Sequence, residues 1–312
     1  MSAAIFRHFD QAALNREYDN RAKVANTGLN LYRAYWKQNS EVARATLNCS
    51  LDLPYGKSSD ETLNVFRVGR RGGVTPVQIY IHGGYWHFGD KSECSYVALG
   101  FSGLGMTTVV INYGLAPAVP LVRQIEQCER AIRWVSENIA DFGGDPESIF
   151  LTGHSAGAHL AAMAVAERPR DSGVQPAASL VRGVCAISGI YDLEPIALTT
   201  VNEPLRLTAQ DVAELSPARL KGPVKTPVMV GVGALEGEEF TRQTDLLASQ
   251  WSQNSSDVTR KIYAGDDHFS IRTGLADPKS EICRDIEALV SRSAVGVRRT
   301  ADTAQSITSV AS

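Results

Sequence analysis

Cysteine is scarce in this 312-residue chain, and no pattern pairs it. The five cysteines (Cys49, Cys94, Cys128, Cys185 and Cys283) are odd in number and widely scattered. No CxxC pair or His/Cys cluster has zinc-site spacing, which excludes a disulfide framework and a structural zinc. The expectation is free thiols in a reducing compartment, mostly buried as small hydrophobes. Long apolar runs are missing too, so nothing in the sequence spans a bilayer. Residues 1–20 lack the apolar core of a signal peptide. Together these absences predict a cytoplasmic protein with no membrane partner. Charge of one sign is not in excess: 31 Lys plus Arg stand against 34 Asp plus Glu, a net −3. No basic stripe points to nucleic acid and no like-charge block to a solvating tail. No internal repeat is visible. Gly231 and Gly233 are followed by no third glycine at the G-x-G-x-x-G spacing, which excludes a dinucleotide loop.

What is present is an ordinary globular composition, 44% hydrophobic and 21% charged. The length suits one large domain or a domain with an inserted lid. Residues 10–40 space Leu14, Tyr18, Leu31, Tyr35 and Trp36 among charges, which reads as one or two amphipathic helices. Short apolar or β-branched runs predict strands over 45–51, 62–68, 76–81, 107–112, 148–152, 180–187, 227–232 and 258–263. The turn at residues 70–73 separates the second from the third. Helical patterns fall over 119–139, 156–168, 238–253 and 279–291, the first stopped by Asp141 to Pro146. Strands alternating with helices predict an α/β protein with a mostly parallel, doubly wound sheet over residues 1–292. Four prolines interrupt the alternation between 190 and 225, a segment expected to form a small lid or side wall. With residues 10–40 it would cover a pocket. Residues 293–312 are Ser/Thr/Ala-rich without periodicity and are expected to be disordered.

Gly153-His154-Ser155-Ala156-Gly157 fits G-x-S-x-G, a sharp turn that exposes a serine hydroxyl at the carboxyl end of a strand. With 26 glycines in the chain, roughly 0.2 such matches arise by chance. A predicted strand before the motif and an Ala-rich helix after it sharpen the signal. The plain alternative is a Gly-Ser turn between the two. His82-Gly83-Gly84-Tyr85-Trp86 directly follows another strand. Consecutive glycines let a main chain aim its amides at an oxyanion. Gly83 and Gly84, with the amide of Ala156, are therefore the candidate oxyanion donors, against the reading of an ordinary strand-end turn. His82 reads as packing for this loop and His87 as a residue of the pocket mouth.

The partners of such a serine follow in the order acid, then histidine. His268, after the last strand, is the one C-terminal histidine at a strand end; His154 and His159 flank the elbow too closely. Its plain alternative is a solvated loop residue. Glu236 follows the 227–232 strand and is the favoured acid, with Glu238 and Glu239 as rivals at a helix start. Asp266 and Asp267 lie too near His268 in sequence to orient it. No metal or organic cofactor is expected.

HGGYW (82–86), NYGLAP (112–117), GHSAGAHLA (153–161), the G-x-x-E ending at Glu236 and the late D-H-F resemble the kynurenine formamidase (arylformamidase) branch of the α/β hydrolases. That branch adjoins the hormone-sensitive-lipase-like esterases. The resemblance covers roughly residues 10–292. It implies the α/β-hydrolase fold, a triad of Ser155, Glu236 and His268, and an oxyanion hole of Gly83, Gly84 and Ala156. It also implies that Tyr85 and Trp86 wall the acyl or aryl pocket. Many relatives carry Asp as the acid where this chain has Glu, which keeps Glu238 and Glu239 in contention. Tyr191 and Phe269 complete the aromatic set expected near substrate, against ordinary core or rim packing.

The expected function is hydrolysis of a small-molecule amide, an N-formyl or N-acyl arylamine-like substrate, through an acyl-enzyme. The alternative is a broad carboxylesterase with the same triad. A silent hydrolase fold serving as a binding module would need a broken triad. A homodimer is compatible with the chain, although no sequence feature demands one.

Overall fold

The computed structural model describes residues 3–24, 26–69, 73–168, 177–253 and 257–293. Eight strands form one sheet: β1 (Asn48–Pro54), β2 (Thr62–Arg67), β3 (Thr75–Ile81), β4 (Thr107–Ile111), β5 (Gly144–His154), β6 (Val181–Ile187), β7 (Val228–Gly233) and β8 (Val258–Tyr263). Their order is β1-β2-β4-β3-β5-β6-β7-β8. Only β2 runs against its neighbours; β3 to β8 are mutually parallel. The expected doubly wound α/β sheet is therefore present, with an antiparallel edge.

Strand sequence explains why both faces are covered. Val77, Ile79 and Ile81 of β3 pack into one core, while Tyr80 points to the other. Val109 and Ile111 against Val110 on β4, and Ile149 and Leu151 against Phe150 on β5, repeat the split. Successive strand side chains point to opposite faces, so an unbroken apolar run buries itself only when both faces carry helices.

Twelve helices can be named. They are α1 (Gln11–Glu17), α2 (Asn20–Lys23), α3 (Asn26–Thr46), α4 (Val97–Gly103), α5 (Leu121–Asn138), α6 (Ala156–Val165), α7 (Glu194–Ala197), α8 (Asn202–Leu205), α9 (Ala209–Glu214), α10 (Glu238–Ser252), α11 (Ser270–Thr273) and α12 (281–293). The core on one face takes Ile125 and Ile132 of α5, Leu160 of α6 and Leu247 of α10; the other takes Phe101 of α4 and Ile286 and Leu289 of α12.

Four expectations shift. The N-terminal region holds three helices rather than one or two, because Asp10 and Asp19 each cap a new start, accepting from the amides of Ala13 and Ala22. The 45–51 strand begins at Asn48, since α3 continues to Thr46 and buries Ala43. The fifth strand extends to both sides of 148–152. Helix α4 had no counterpart in the sequence reading; seven residues holding two glycines are too short for a periodic pattern. The 190–225 segment holds the short helices α7 to α9. Residues 70–72 of the expected turn and 294–312 of the expected disordered tail lie outside the described residues. All five cysteines are free thiols, four of them buried. Among the described residues no helix is long and apolar enough to cross a membrane.

Strand order decides where chemistry can sit. From β3 the chain moves outward to β4, and then to β5 on the other side of β3. The reversal opens a crevice at the carboxyl ends of β3 and β5. There β3 delivers His82 to Gly84 and β5 delivers Ser155, while β7 and β8 deliver Glu236 and His268 to the same edge.

Candidate active site

Ser155 sits at the turn between β5 and α6 with φ 57° and ψ −122°, a conformation a side chain seldom adopts. The turn is held from both sides. The Ser155 amide donates to the Ile187 carbonyl at 2.9 Å. A Cβ on Gly153 would lie 2.2 Å from the Gly157 carbonyl oxygen, and one on Gly157 would lie 2.0 Å from that of Ile81. Both glycines of the motif are thus required by close backbone approach.

His268 Nε2 lies 3.0 Å from Ser155 Oγ, and its Nδ1 lies 2.6 Å from Glu236 Oε2. All three side chains are buried, at 3%, 6% and 1% exposure. The second oxygen of Glu236 accepts from the Gly233 amide at 2.7 Å and from Ser188 Oγ at 2.5 Å. That leaves Oε2 for the imidazole and fixes Nδ1 as the protonated nitrogen. Nε2 then faces the serine with its lone pair. A hydroxyl, a basic nitrogen and an orienting carboxylate in this sequence can activate the hydroxyl as a nucleophile.

The rival acids are elsewhere. Glu238 is exposed and pairs with Arg7 and His8. Glu239 is buried, but holds Arg242 through both oxygens at 2.8 Å and accepts from Tyr18 Oη at 2.8 Å. Asp267 accepts from the amides of Phe269 and Ser270 just before α11. Asp266 accepts from Ser270 Oγ.

The other histidines have structural partners. His82 stacks on Tyr113 and contacts the Gly83 carbonyl at 2.8 Å and Asn112 Oδ1 at 3.2 Å. His159 Nδ1 accepts from Trp86 Nε1 at 3.3 Å, while Nε2 donates to the Leu215 carbonyl at 2.7 Å. This ring must be neutral, and burial lowers its pKa to about 4. His154 packs against His268 and donates from Nε2 to its carbonyl at 2.9 Å; burial, then His268 and Arg272, keep it well below the usual imidazole range. His87 lines the cavity.

The loop after β3 folds against the serine. A Cβ on Gly83 would come within 2.9 Å of Ser155 Cβ, and Gly84 takes φ +125°, which favours glycine. The amides of Gly83, Gly84 and Ala156 donate no hydrogen bond among the described residues. Ala156 is also the first residue of α6, where the helix presents its positive end.

A cavity of about 1080 Å³ opens on Ser155 and His268. Tyr18 and Asn20, Arg33, Trp36 and Lys37 of α3, and Thr200 and Val201 all contribute to its wall. Of the four aromatics expected at the site, Tyr85 and Phe269 line this cavity. Trp86 and Tyr191 do not, a correction to the sequence reading. Trp86 is fully buried against His159, and Tyr191 is fully buried with its amide bound to Gln243 Oε1 at 2.7 Å. Both point into the core below the site.

Sequence reasoning missed the cavity face of α3, Ser188 behind the acid, and Arg272 on α11. Leu29, Arg33, Trp36, Lys37, Ser40 and Arg44 recur at helical spacing, a signal that could have marked one face of a helix. Nothing local marks Ser188 or Arg272. Among the described residues no cluster of three or more His, Cys, Asp or Glu could hold a metal.

Comparison with known proteins gives the relatives of this chain. The BD-FAE family model matches residues 63–214. The kynurenine formamidase of Danio rerio is 30% identical over 262 residues, covering 82% of this chain and 87% of its own length. That of Salmo salar is 33% identical over 77% of this chain and 82% of its own length. This chain belongs to the kynurenine formamidase family of α/β hydrolases. It is an enzyme of the hydrolase class, and the family's esterase side is close as well. Esterase LipQ of Mycobacterium tuberculosis is 40% identical over 46% of this chain and 35% of its own. Among solved structures, a candidate thioesterase from Silicibacter sp. superposes with a TM-score of 0.77 at 28% identity, covering 89% of this chain and 98% of the other.

Proposed function

We propose that the chain cleaves a small N-formyl or N-acyl arylamine-like amide, with Ser155 as nucleophile, His268 as general base and acid, and Glu236 as orienting carboxylate. The observation that carries this reading is the buried chain of hydrogen bonds from Ser155 Oγ through His268 to Glu236, beside three unengaged amides. Ser155 Oγ attacks the carbonyl carbon as His268 Nε2 takes its proton. Glu236 stabilises the imidazolium without taking a proton itself. The oxyanion forms beside the amides of Gly83, Gly84 and Ala156, where fixed donors cost no reorganisation. Collapse of the tetrahedral intermediate expels the amine, which receives the proton from His268. Water then attacks the acyl-serine by the same route and releases the acid.

The amide preference is supported by the two formamidase relatives, which align over most of their length. A carboxylesterase is the second reading, favoured by the similarity to esterase LipQ. The charged side chains of the cavity wall, such as Arg33 and Lys37, are unlike a long apolar acyl channel and weigh against it. We infer further that the N-terminal helices and the 190–225 segment act as the pocket cover.

The test compares rates on N-formyl-arylamines, N-formylkynurenine included, with rates on 4-nitrophenyl esters of increasing acyl length, using Ser155→Ala as control. Fast formamide cleavage with weak ester turnover is the expected result. Ester-only turnover would replace the amidase reading by the esterase one. Turnover that survives Ser155→Ala would refute the serine mechanism.

A further inference from the structure

Arg272 stands out within the same cavity, because among the described residues no carboxylate pairs with its charge. Its guanidinium lies over the Trp36 ring at 3.9 Å from the centroid, and Nε donates to Tyr96 Oη at 2.8 Å. Nη2 makes a long contact with Cys94 Sγ at 3.7 Å, and Nη1 donates to nothing among the described residues. A half-buried cation normally acquires a carboxylate partner, since desolvating an unpaired charge is costly. Aromatic faces and a phenol offset only part of that cost.

The surroundings reinforce the charge. Arg33, Lys37 and Arg44 on α3 line the same cavity. The carboxylates lining the cavity are Asp19, Glu41 and Glu93, all exposed, and Asp90, which accepts from the Ser92 amide at 2.7 Å. None forms an ion pair with Arg272. The cavity therefore brings a fixed cation with a free donor together with Ser155 and leaves the counter-ion to be supplied from outside.

We propose that Arg272 is the anion-binding residue of the Ser155 cavity, and that the substrate is an amide or ester carrying a carboxylate. This rests on Ser155 being the reacting group. Trp36 holds the guanidinium flat and Tyr96 fixes its rotation, so the remaining donor is oriented before substrate arrives. Such pre-positioning suits carboxylate recognition, in which guanidinium donors meet oxygen lone pairs.

Matched substrates test the proposal. Mono-4-nitrophenyl glutarate against its methyl ester varies charge on the acyl side; 4-acetoxybenzoate against its methyl ester varies it on the leaving side. In at least one pair the protein should prefer the anion. Arg272→Gln should then lower kcat/KM for that anion about 10- to 100-fold, mainly through KM, with the neutral partner changed less than about twofold. Arg272→Lys should recover part of the loss. Equal losses on both members of each pair, or a preference for the neutral member in both, would overturn the proposal and leave Arg272 a tether between α11 and α3. If Arg272→Gln fails to fold, the unmodified protein's preference and the Arg272→Lys variant carry the same two readings.

Labelling by a fluorophosphonate separates this from the hydrolase reading. Ser155 labelled without charge discrimination overturns the anion subsite alone. If Ser155 resists labelling, the serine mechanism fails, and calorimetric titration with 4-phenylbutyrate and its amide still decides the subsite. Anion binding that Arg272→Gln abolishes supports it; equal binding of acid and amide, or none, overturns it.

Discussion

Replacing Glu236 by Gln is the sharpest perturbation of the site, because the structure dictates how the amide must sit. Oε1 accepts from two donors, the Gly233 amide and Ser188 Oγ, while among the described residues Oε2 meets only His268 Nδ1. An NH₂ at the Oε1 position would face the Gly233 N–H, which cannot turn away, and would leave it unsatisfied at a cost of about 1–3 kcal/mol. The amide therefore turns its NH₂ toward His268. Nδ1 must then accept, the proton moves to Nε2, and the imidazole presents a donor to Ser155 instead of a lone pair. A tautomer error of this kind lowers kcat by on the order of 10⁴, or about 5 kcal/mol in the barrier. Folding should change little, because size and shape are kept. The assay is kcat on a 4-nitrophenyl ester and on an N-formyl-arylamine, with circular dichroism to verify the fold. Glu238→Gln, at an exposed ion pair, should stay within about threefold of the parent protein. Glu236→Gln with more than a tenth of the parental rate, or a larger loss in Glu238→Gln, would refute the assignment of the acid.

Three other outcomes are expected. Gly157→Ala drives a Cβ to 2.0 Å from the Ile81 carbonyl oxygen and should cost at least about 3 kcal/mol, seen as a fall in Tm of at least about 6 °C; a change below 2 °C would show that the elbow has slack. Lys23 Nζ donates to the Glu236 carbonyl at 2.7 Å and pairs with Glu17 at 3.3 Å, so Lys23→Met should lower kcat about three- to tenfold more than it alters KM; an effect confined to KM would argue that Lys23 touches substrate instead. His159 binds a proton near pH 4 when folded and near its ordinary 6.5 when unfolded, so the unfolded chain holds more protons in between. Stability should thus fall by about 3 kcal/mol as pH drops from about 6.5 to about 4, and denaturant titrations of His159→Gln should show a shallower pH dependence across that window.

Legibility in the sequence followed the range of the physics. The central strands were readable because burial on both faces demands an unbroken apolar run, as in Val77–Ile81 and Thr107–Ile111. Their boundaries were not, since α3 ends and β1 begins where tertiary packing of Ala43 decides, rather than local propensity. Ser155 and the Gly83-Gly84 loop were readable for a local reason as well: steric demands at the elbow and the strand end write glycines at fixed offsets. Glu236 and His268 required knowledge of strand order, and the rivals Glu238 and Glu239 could not be separated from Glu236 by spacing. What separates them is the direction of the chain at Gly237, with φ +98°, after which α10 turns the next two carboxylates toward Arg7 and Arg242.

The aromatic residues make the same point from the other side. Tyr85 and Trp86 are neighbours in one motif, both with positive φ, yet only one reaches the cavity. Adjacent side chains on a turn diverge, and the indole N–H of Trp86 finds its acceptor in His159, beneath the elbow. It contributes to the position of α6, whereas Tyr85 donates to the Tyr18 carbonyl at 2.5 Å and joins the loop to the N-terminal helices. Motif matching sees the candidate catalytic strand ends because every serine hydrolase of this fold needs them. The cavity wall is drawn from α3, α11 and the segment before α8, far apart in sequence and tied to no shared offset. Selectivity among substrates, unlike the hydrolytic step, therefore has to be read from which charges those distant segments bring together. In this chain they bring together Trp36 and the unpaired Arg272.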